Sequence, residues 1–367
     1  MTSRPLLRWL VPLVVALALT TAGLVSGTAS ADQKLPPRTA EQLLIDLQQA
    51  EVAGFSGTVE QTTDLGIPAL PGVSEHGSDF SSLVSGTHRL RVWYAAPDSS
   101  KVALLGDLSE SAVIRDGDDL WTWSSRENAA THTTLDAADR PDKARPADAP
   151  KTPQEAAQRF LAAVDETTEV SVATDVTVAD RPAYELVLRP TDSRSLISSV
   201  RIAVDSAEYV ALRVQVFAGG QADPVTSTAF SQVDFAVPDD ATFAFNPPAG
   251  AKVTEVQPGD HSLSAAEREA ARQRAEAAEP TIVGEGWTSV AVSTLPGGGL
   301  PDGPDDQTGG RDAGPDVQAY LAQLPRVSGD WGSGRLLAGA AFSVVVTDDG
   351  RIAAGAVAPD LVYDALG

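Results

Sequence analysis

Hydrophobic and polar positions alternate most regularly between Tyr184 and Phe245. Tyr184, Leu186 and Leu188, then Val200, Ile202 and Val204, then Val210, Leu212, Val214 and Val216 fall on every second residue. A period of two marks strands with one buried face. The breaks between these runs, at 190–193, 205–208 and 219–224, are short and turn-like, so neighbouring strands pair antiparallel as a meander. A meander with one apolar face must cover it, by closing on itself, by a second sheet or by helices laid across it. What covers that face decides what the protein does.

Upstream, a helix is predicted over residues 39–53, with Thr39 and Gln42 as a capping box and Leu43, Leu44 and Leu47 as its apolar stripe. Strands are predicted over 55–62, 88–94 and 101–105, and a hairpin pairs 112–115 with 120–123 about Asp116-Gly117. Residues 137–150 read as an exposed connector. A second helix starts at Thr152-Pro153-Gln154-Glu155 and carries Ala156, Phe160 and Val164 along one side. The segment 170–178 then returns to the sheet. Between Asp64 and Thr87 lies a long stretch rich in Gly, Pro and Ser that still carries Ile67, Leu70, Val73, Phe80 and Leu83. It joins two strands that a short turn would connect, so a lid over the apolar face is expected, beside the alternative of a loop packed on the outer surface.

The pattern changes after Val256. A charged, alanine-rich helix over 264–278 reads as a spacer. A strand over 287–295 follows, then a Gly/Pro/Asp-rich stretch over 296–314, a short helix over 315–324 and a hairpin of 341–347 with 351–357 about Asp349-Gly350. Residues 359–366 close with a helical turn or two. The expected division is a signal peptide at 1–31, a first domain at 32–256, a helical spacer at 257–280 and a small C-terminal domain at 281–367. The signal rests on Arg4 and Arg8, the apolar run from Trp9 to Leu19, and Ala29-Ser30-Ala31. These are the basic, apolar and small-residue parts of an export signal, with an uncleaved anchor as the alternative.

The chain has 367 residues and a formal net charge of -23, which argues against nucleic acid or an anionic membrane surface as partner. With no cysteine, disulfides, thiol nucleophiles and thiolate metal sites drop out. The four histidines are scattered without metal-ligand spacing, and neither a nucleophile elbow nor a phosphate loop is present. Asp302, Asp305 and Asp306 lack the ligand spacing of a calcium loop. Trp121 and Trp123 share one sheet face, as core or as a ligand platform. A large meander, covering helices, an apolar-studded loop and no catalytic set point to a binder of something apolar.

Several segments resemble the superfamily of LolA-type lipoprotein carriers and MucB/RseB-type regulators, in its actinobacterial exported branch. They are Phe55-Ser56-Gly57-Thr58-Val59-Glu60-Gln61, Arg91-Val92-Trp93-Tyr94-Ala95-Ala96-Pro97, Ile114-Arg115-Asp116-Gly117 with Leu120-Trp121, Tyr184 to Pro190, Phe230-Ser231-Gln232-Val233 and Phe243 to Gly250. The resemblance spans roughly residues 39 to 256. It implies an α+β fold: an unclosed antiparallel β-barrel covered by helices, with a smaller α+β C-terminal domain. It further implies a non-catalytic, extracytoplasmic site for an acyl chain, whose partner is a lipid or an acylated protein. Ala96 stands before Pro97 where LolA-type carriers have an arginine. The C-terminal part, with Gly329-Asp330-Trp331-Gly332-Ser333-Gly334-Arg335, is foreign to a single-domain carrier; a two-domain plan is closer to MucB/RseB-type proteins, which bind an anti-sigma factor. The candidate cavity and lid residues are Ile67, Leu70, Phe80, Leu83, Trp93, Trp121, Trp123, Phe160, Leu186 and Leu212. No catalytic residue, metal ligand or cofactor is expected.

Overall fold

The computed structural model describes residues 35–67, 80–135, 167–256, 280–294 and 320–367. The expected signal peptide, the second helix with Phe160, the spacer helix, and Leu70 and Val73 of the long loop lie outside these. Among the described residues no helix is long and apolar enough to cross a membrane.

Two sheets make up the fold. The larger has twelve strands: β1 (Gly54–Thr63), β2 (Gly86–Ala95), β3 (Ser99–Leu105), β4 (Glu110–Asp116), β5 (Asp119–Ser124), β6 (Ala129–Thr134), β7 (Thr168–Val178), β8 (Arg181–Pro190), β9 (Ile197–Asp205), β10 (Ala211–Ala218), β11 (Thr226–Asp234) and β12 (Lys252–Val256). Their spatial order is β12-β6-β5-β4-β3-β2-β1-β11-β10-β9-β8-β7. Among the described residues β12 and β7 each pair with a strand on one side only, so the sheet is unclosed. Every pairing is antiparallel except β12 on β6. The chain leaves β11, crosses the sheet with Phe243 buried, and returns beside β6 in the parallel sense. The expected meander is β8 to β10, and both Asp-Gly turns form, with Gly117 at φ 61 and Gly350 at φ 87.

Helix α1 (Ala40–Gln49) carries the expected capping box, Thr39 with Gln42. It stops short of the predicted Ala53, because Val52 turns in to pack beside Phe55. Its Leu43 is fully buried, seated on Tyr184, Leu186 and Val204. The smaller sheet holds β13 (Thr281–Val283), β14 (Val290–Thr294), β15 (Arg326–Gly329), β16 (Gly332–Ala338), β17 (Ser343–Thr347) and β18 (Arg351–Gly355), in the order β13-β14-β18-β17-β16-β15. Helix α2 (Pro359–Leu366) buries Val362 and Leu366 against it. The strand predicted over 287–295 is shorter, since Gly286–Thr288 is a 3-10 turn and pairing starts at Val290. The two sheets meet through Ile197, Val216, Ala218, Val225, Ala341 and Ala356, with Leu65 and Trp287 against them. Leu196 N donates to Ala356 O at 2.8 Å, and Trp287 Nε1 to Thr168 Oγ1 at 2.7 Å.

β1 and β11 approach closely at Gly57. A Cβ there would lie 2.5 Å from Gln232 O and 2.8 Å from the Phe230 ring, so no side chain fits without parting the strands. Gly57→Val is expected to cost about 3 kcal/mol by overpacking, read as a lower urea midpoint; a change under about 0.5 kcal/mol would mean that the strands yield.

β12 is exposed along its length and is clasped by a histidine. His132 on β6 lies 2.7 Å from Asp119 on β5 and 2.7 Å from Glu255 on β12, and its ring stacks on Trp121. Burial draws the His132 pKa down, but the hydrogen bonds to Asp119 and Glu255 outweigh this and hold it above the ordinary histidine value. The clasp therefore contributes fully below the unfolded value of about 6.5 and fades as pH rises through the folded value. His132→Gln is expected to lower Tm most at about pH 6, with the gap narrowing toward about pH 9. A gap independent of pH would contradict the ionic clasp.

Candidate functional site

Directly paired residues on neighbouring strands share one side of a sheet. One unbroken row of partners runs Val172, Leu186, Ile202, Val214, Thr228, Gln61 and His88, from β7 to β2. Helix α1 lies on this side, over Leu186 and its neighbours. Two residues along β1 from Gln61, still on this side, Val59 pairs with Leu90 and Leu90 with Leu104. Further along, Phe55 faces Tyr94. Phe230 links these groups, touching the clusters of Leu212, of Phe55 and of Val59, Leu90 and Leu104. Three apolar clusters are therefore joined through Phe230, beside the cluster that α1 covers.

Among the described residues, helix α1 spans only part of this side. A ten-residue helix is about 15 Å long, whereas twelve strands at about 4.8 Å spacing extend roughly 50 Å. Among the described residues, the region over β1 to β3 is covered from the 3-10 segment Phe80–Val84, whose Leu83 packs onto the Val59, Leu90 and Leu104 cluster. Polar groups pin that segment. Gln61 Nε2 and Thr63 Oγ1 donate to Leu83 O at 2.9 and 3.2 Å, and His88 Nε2 lies 2.7 Å from Ser85 O. The other end of the loop is tied to the smaller sheet, where Ala340 N donates to Leu65 O at 2.7 Å. The Tyr94 hydroxyl, on the apolar side, is buried with no hydrogen-bond partner among the described residues. Burial, with Asp98 adding to it, pushes its pKa up and keeps it a donor.

The candidate residues that lie in the larger sheet are split between its two sides. Leu83 and Leu186 lie on the side that carries α1, and Leu212 is buried beside Phe230. Phe80 is exposed, and Ile67 is half-buried at the start of the loop. Trp93, Trp121 and Trp123 are on the opposite side, where Trp93 pairs with Lys101, Lys101 with Ile114 and Ile114 with Trp121. They form a second cluster with Ala103, Ala112 and Ile114, and Phe245 of the crossing segment lies 5.3 Å from Trp121. Leu70 and Phe160 lie outside the described residues. Sequence reasoning missed the pins Gln61, Thr63 and His88; their signal is polarity at strand positions whose parity is buried. Among the described residues no three His, Asp or Glu side chains converge as a metal site.

No protein-family model matches the chain, and no curated protein is similar to it in sequence. Among solved structures it is similar to MucB in complex with MucA(peri), at 14% identity over 89% of this chain and 97% of that one, with a TM-score of 0.41. It is similar to the Pseudomonas aeruginosa MucA/MucB complex, at 15% identity over 89% and 96%, with a TM-score of 0.42. It is also similar to a LolA superfamily protein from Nitrosomonas europaea, at 14% identity over 57% of this chain and 99% of that one, with a TM-score of 0.21.

Proposed function

We propose that this chain is a non-catalytic, extracytoplasmic binding protein that holds the acyl chain of a lipid, lipopeptide or acylated protein on the α1-bearing side of its larger sheet. The observation that carries this is the group of apolar clusters about Leu212, Phe55 and Leu104 that Phe230 joins, beside the Leu186 cluster that α1 covers. Leu83 lies as a cover over the Val59, Leu90 and Leu104 cluster, and the Tyr94 hydroxyl, without a partner among the described residues, supplies one donor for an ester or carboxyl oxygen. In this reading residues 32–256 form the binding domain, 281–367 a smaller domain and 257–280 the connection, behind an export signal at 1–31.

Leu83→Ser tests it. Removing about 1 kcal/mol of apolar cover is expected to speed release of a fluorescent fatty acid about fivefold while Tm stays within about 2 °C. Unchanged release with a lowered Tm would make Leu83 a packing residue only.

A second reading has the two sheets together grip the extracytoplasmic segment of a membrane anti-sigma factor. The apolar seam through Ile197, Val216, Ala341 and Ala356 favours it, because it joins the sheets into one surface. A pull-down with exported domains of membrane proteins from the same host decides between them: a recovered protein supports the regulator, and lipid without protein supports the carrier.

A further inference from the structure

On the side of the larger sheet opposite α1, a trough of about 220 Å³ lies over the middle of β1, lined by Ser56, Thr58, Arg91, Trp93, Gln232 and Asp234. The register makes it. Arg91, Thr58 and Gln232 form one row across β2, β1 and β11, and Lys101, Trp93, Ser56 and Asp234 form the next, starting from β3. The central strand contributes only two small hydroxyl side chains between long neighbours, so the floor is low and both banks stand high.

The banks differ in charge. On one, the Arg91 guanidinium lies 4.8 Å from the centre of the Trp93 ring and the Lys101 ammonium 5.2 Å from it. Neighbouring Arg89 is paired with Glu60 at 3.5 Å, but among the described residues no carboxylate pairs with Arg91 or Lys101. In a chain of net charge -23, two cations drawn to one indole, with no described carboxylate paired to either, repel each other, and an anion between them would relieve that repulsion. The other bank is Gln232 and Asp234. Asp234 Oδ1 accepts from Ala236 N at 3.0 Å, and Oδ2 is the carboxylate's second acceptor. A bare anion would meet the Asp234 charge; a ligand with an anion at one end and hydroxyls at the other suits both banks.

We propose that this trough binds a phosphate-bearing polyol, with the phosphate at Arg91 and Lys101, hydroxyls donating to Asp234 and the Gln232 carbonyl, and Ser56 and Thr58 beneath. The site is separate from the acyl side and stands without it. Such a group occurs as a free phosphorylated polyol and as the head of a glycerophospholipid. Calorimetric titration of the purified full chain with sn-glycerol 3-phosphate, with inorganic phosphate, and with phosphatidylglycerol vesicles in a phosphatidylcholine background separates these. Glycerol 3-phosphate is expected to bind saturably and at least about tenfold tighter than inorganic phosphate, a preference that Asp234→Asn erases by admitting inorganic phosphate. The double variant R91Q/K101Q is expected to weaken binding at least about tenfold. Saturable vesicle binding, lost in the double variant and without response to soluble glycerol 3-phosphate, assigns the site to a lipid head. Absence of saturable binding to any of these probes, or binding that survives in R91Q/K101Q, overturns the proposal.

Discussion

Phe230→Ala is expected to be the most damaging single substitution on the apolar side, costing about 3–5 kcal/mol and abolishing fatty-acid uptake by the fraction that stays folded. The Phe230 ring meets Phe55 edge-on at 6.0 Å and also touches the Leu212 cluster and the Val59, Leu90 and Leu104 cluster. Truncation therefore opens one void shared by three groups of side chains, and β1 and β11 cannot collapse into it without disturbing Gly57. Phe230→Leu keeps most of the volume and is expected to cost under about 1.5 kcal/mol. Urea unfolding of the three proteins, with uptake measured at matched folded fractions, checks both parts. A Phe230→Ala cost below about 1 kcal/mol would show that the ring does not join these clusters.

The second large effect lies away from the proposed site. Asp205 is completely buried, receives both Arg181 Nε and Nη2, and accepts from Ala207 N at 2.9 Å and Glu208 N at 2.8 Å. Those bonds close the turn from β9 into β10, where Tyr209 sits at φ 55. Hydrogen bonding to Asp205 raises the Arg181 pKa against the pull of burial, so the guanidinium stays charged. Asp205→Ala leaves it half-buried without its partner and the turn without its acceptor, an expected loss of about 3–5 kcal/mol. Asp205→Asn preserves an acceptor for the turn and should lose distinctly less. Equal losses in the two variants would place the whole effect in the charge, and no loss in either would contradict the role of the pair.

Much of this architecture was legible in the residues. The alternation from Tyr184 to Val216 became β8 to β10, the Thr39/Gln42 box capped α1, and the Asp-Gly pairs turned their hairpins. A period of two, however, shows that a strand has two sides and not which side faces which neighbour. Val92, Trp93 and Tyr94 are apolar in succession, so the register with β1 and β3, not the pattern, sends Trp93 to one side and its neighbours to the other. β6 and β12 escaped notice for a related reason: AATHTT and KVTEV lie at one edge of the sheet, where half-exposed threonines and charged residues leave no apolar rhythm. Gln61, Thr63 and His88 look like lapses in alternation, and only the carbonyls they meet explain them.

The most direct measurement of the central claim is native mass spectrometry of the protein purified from its own host. A folded protein carrying a bound acyl species, released when Phe230 is replaced by alanine, is expected. A consistently empty, well-folded protein that also takes up no fluorescent fatty acid would contradict it.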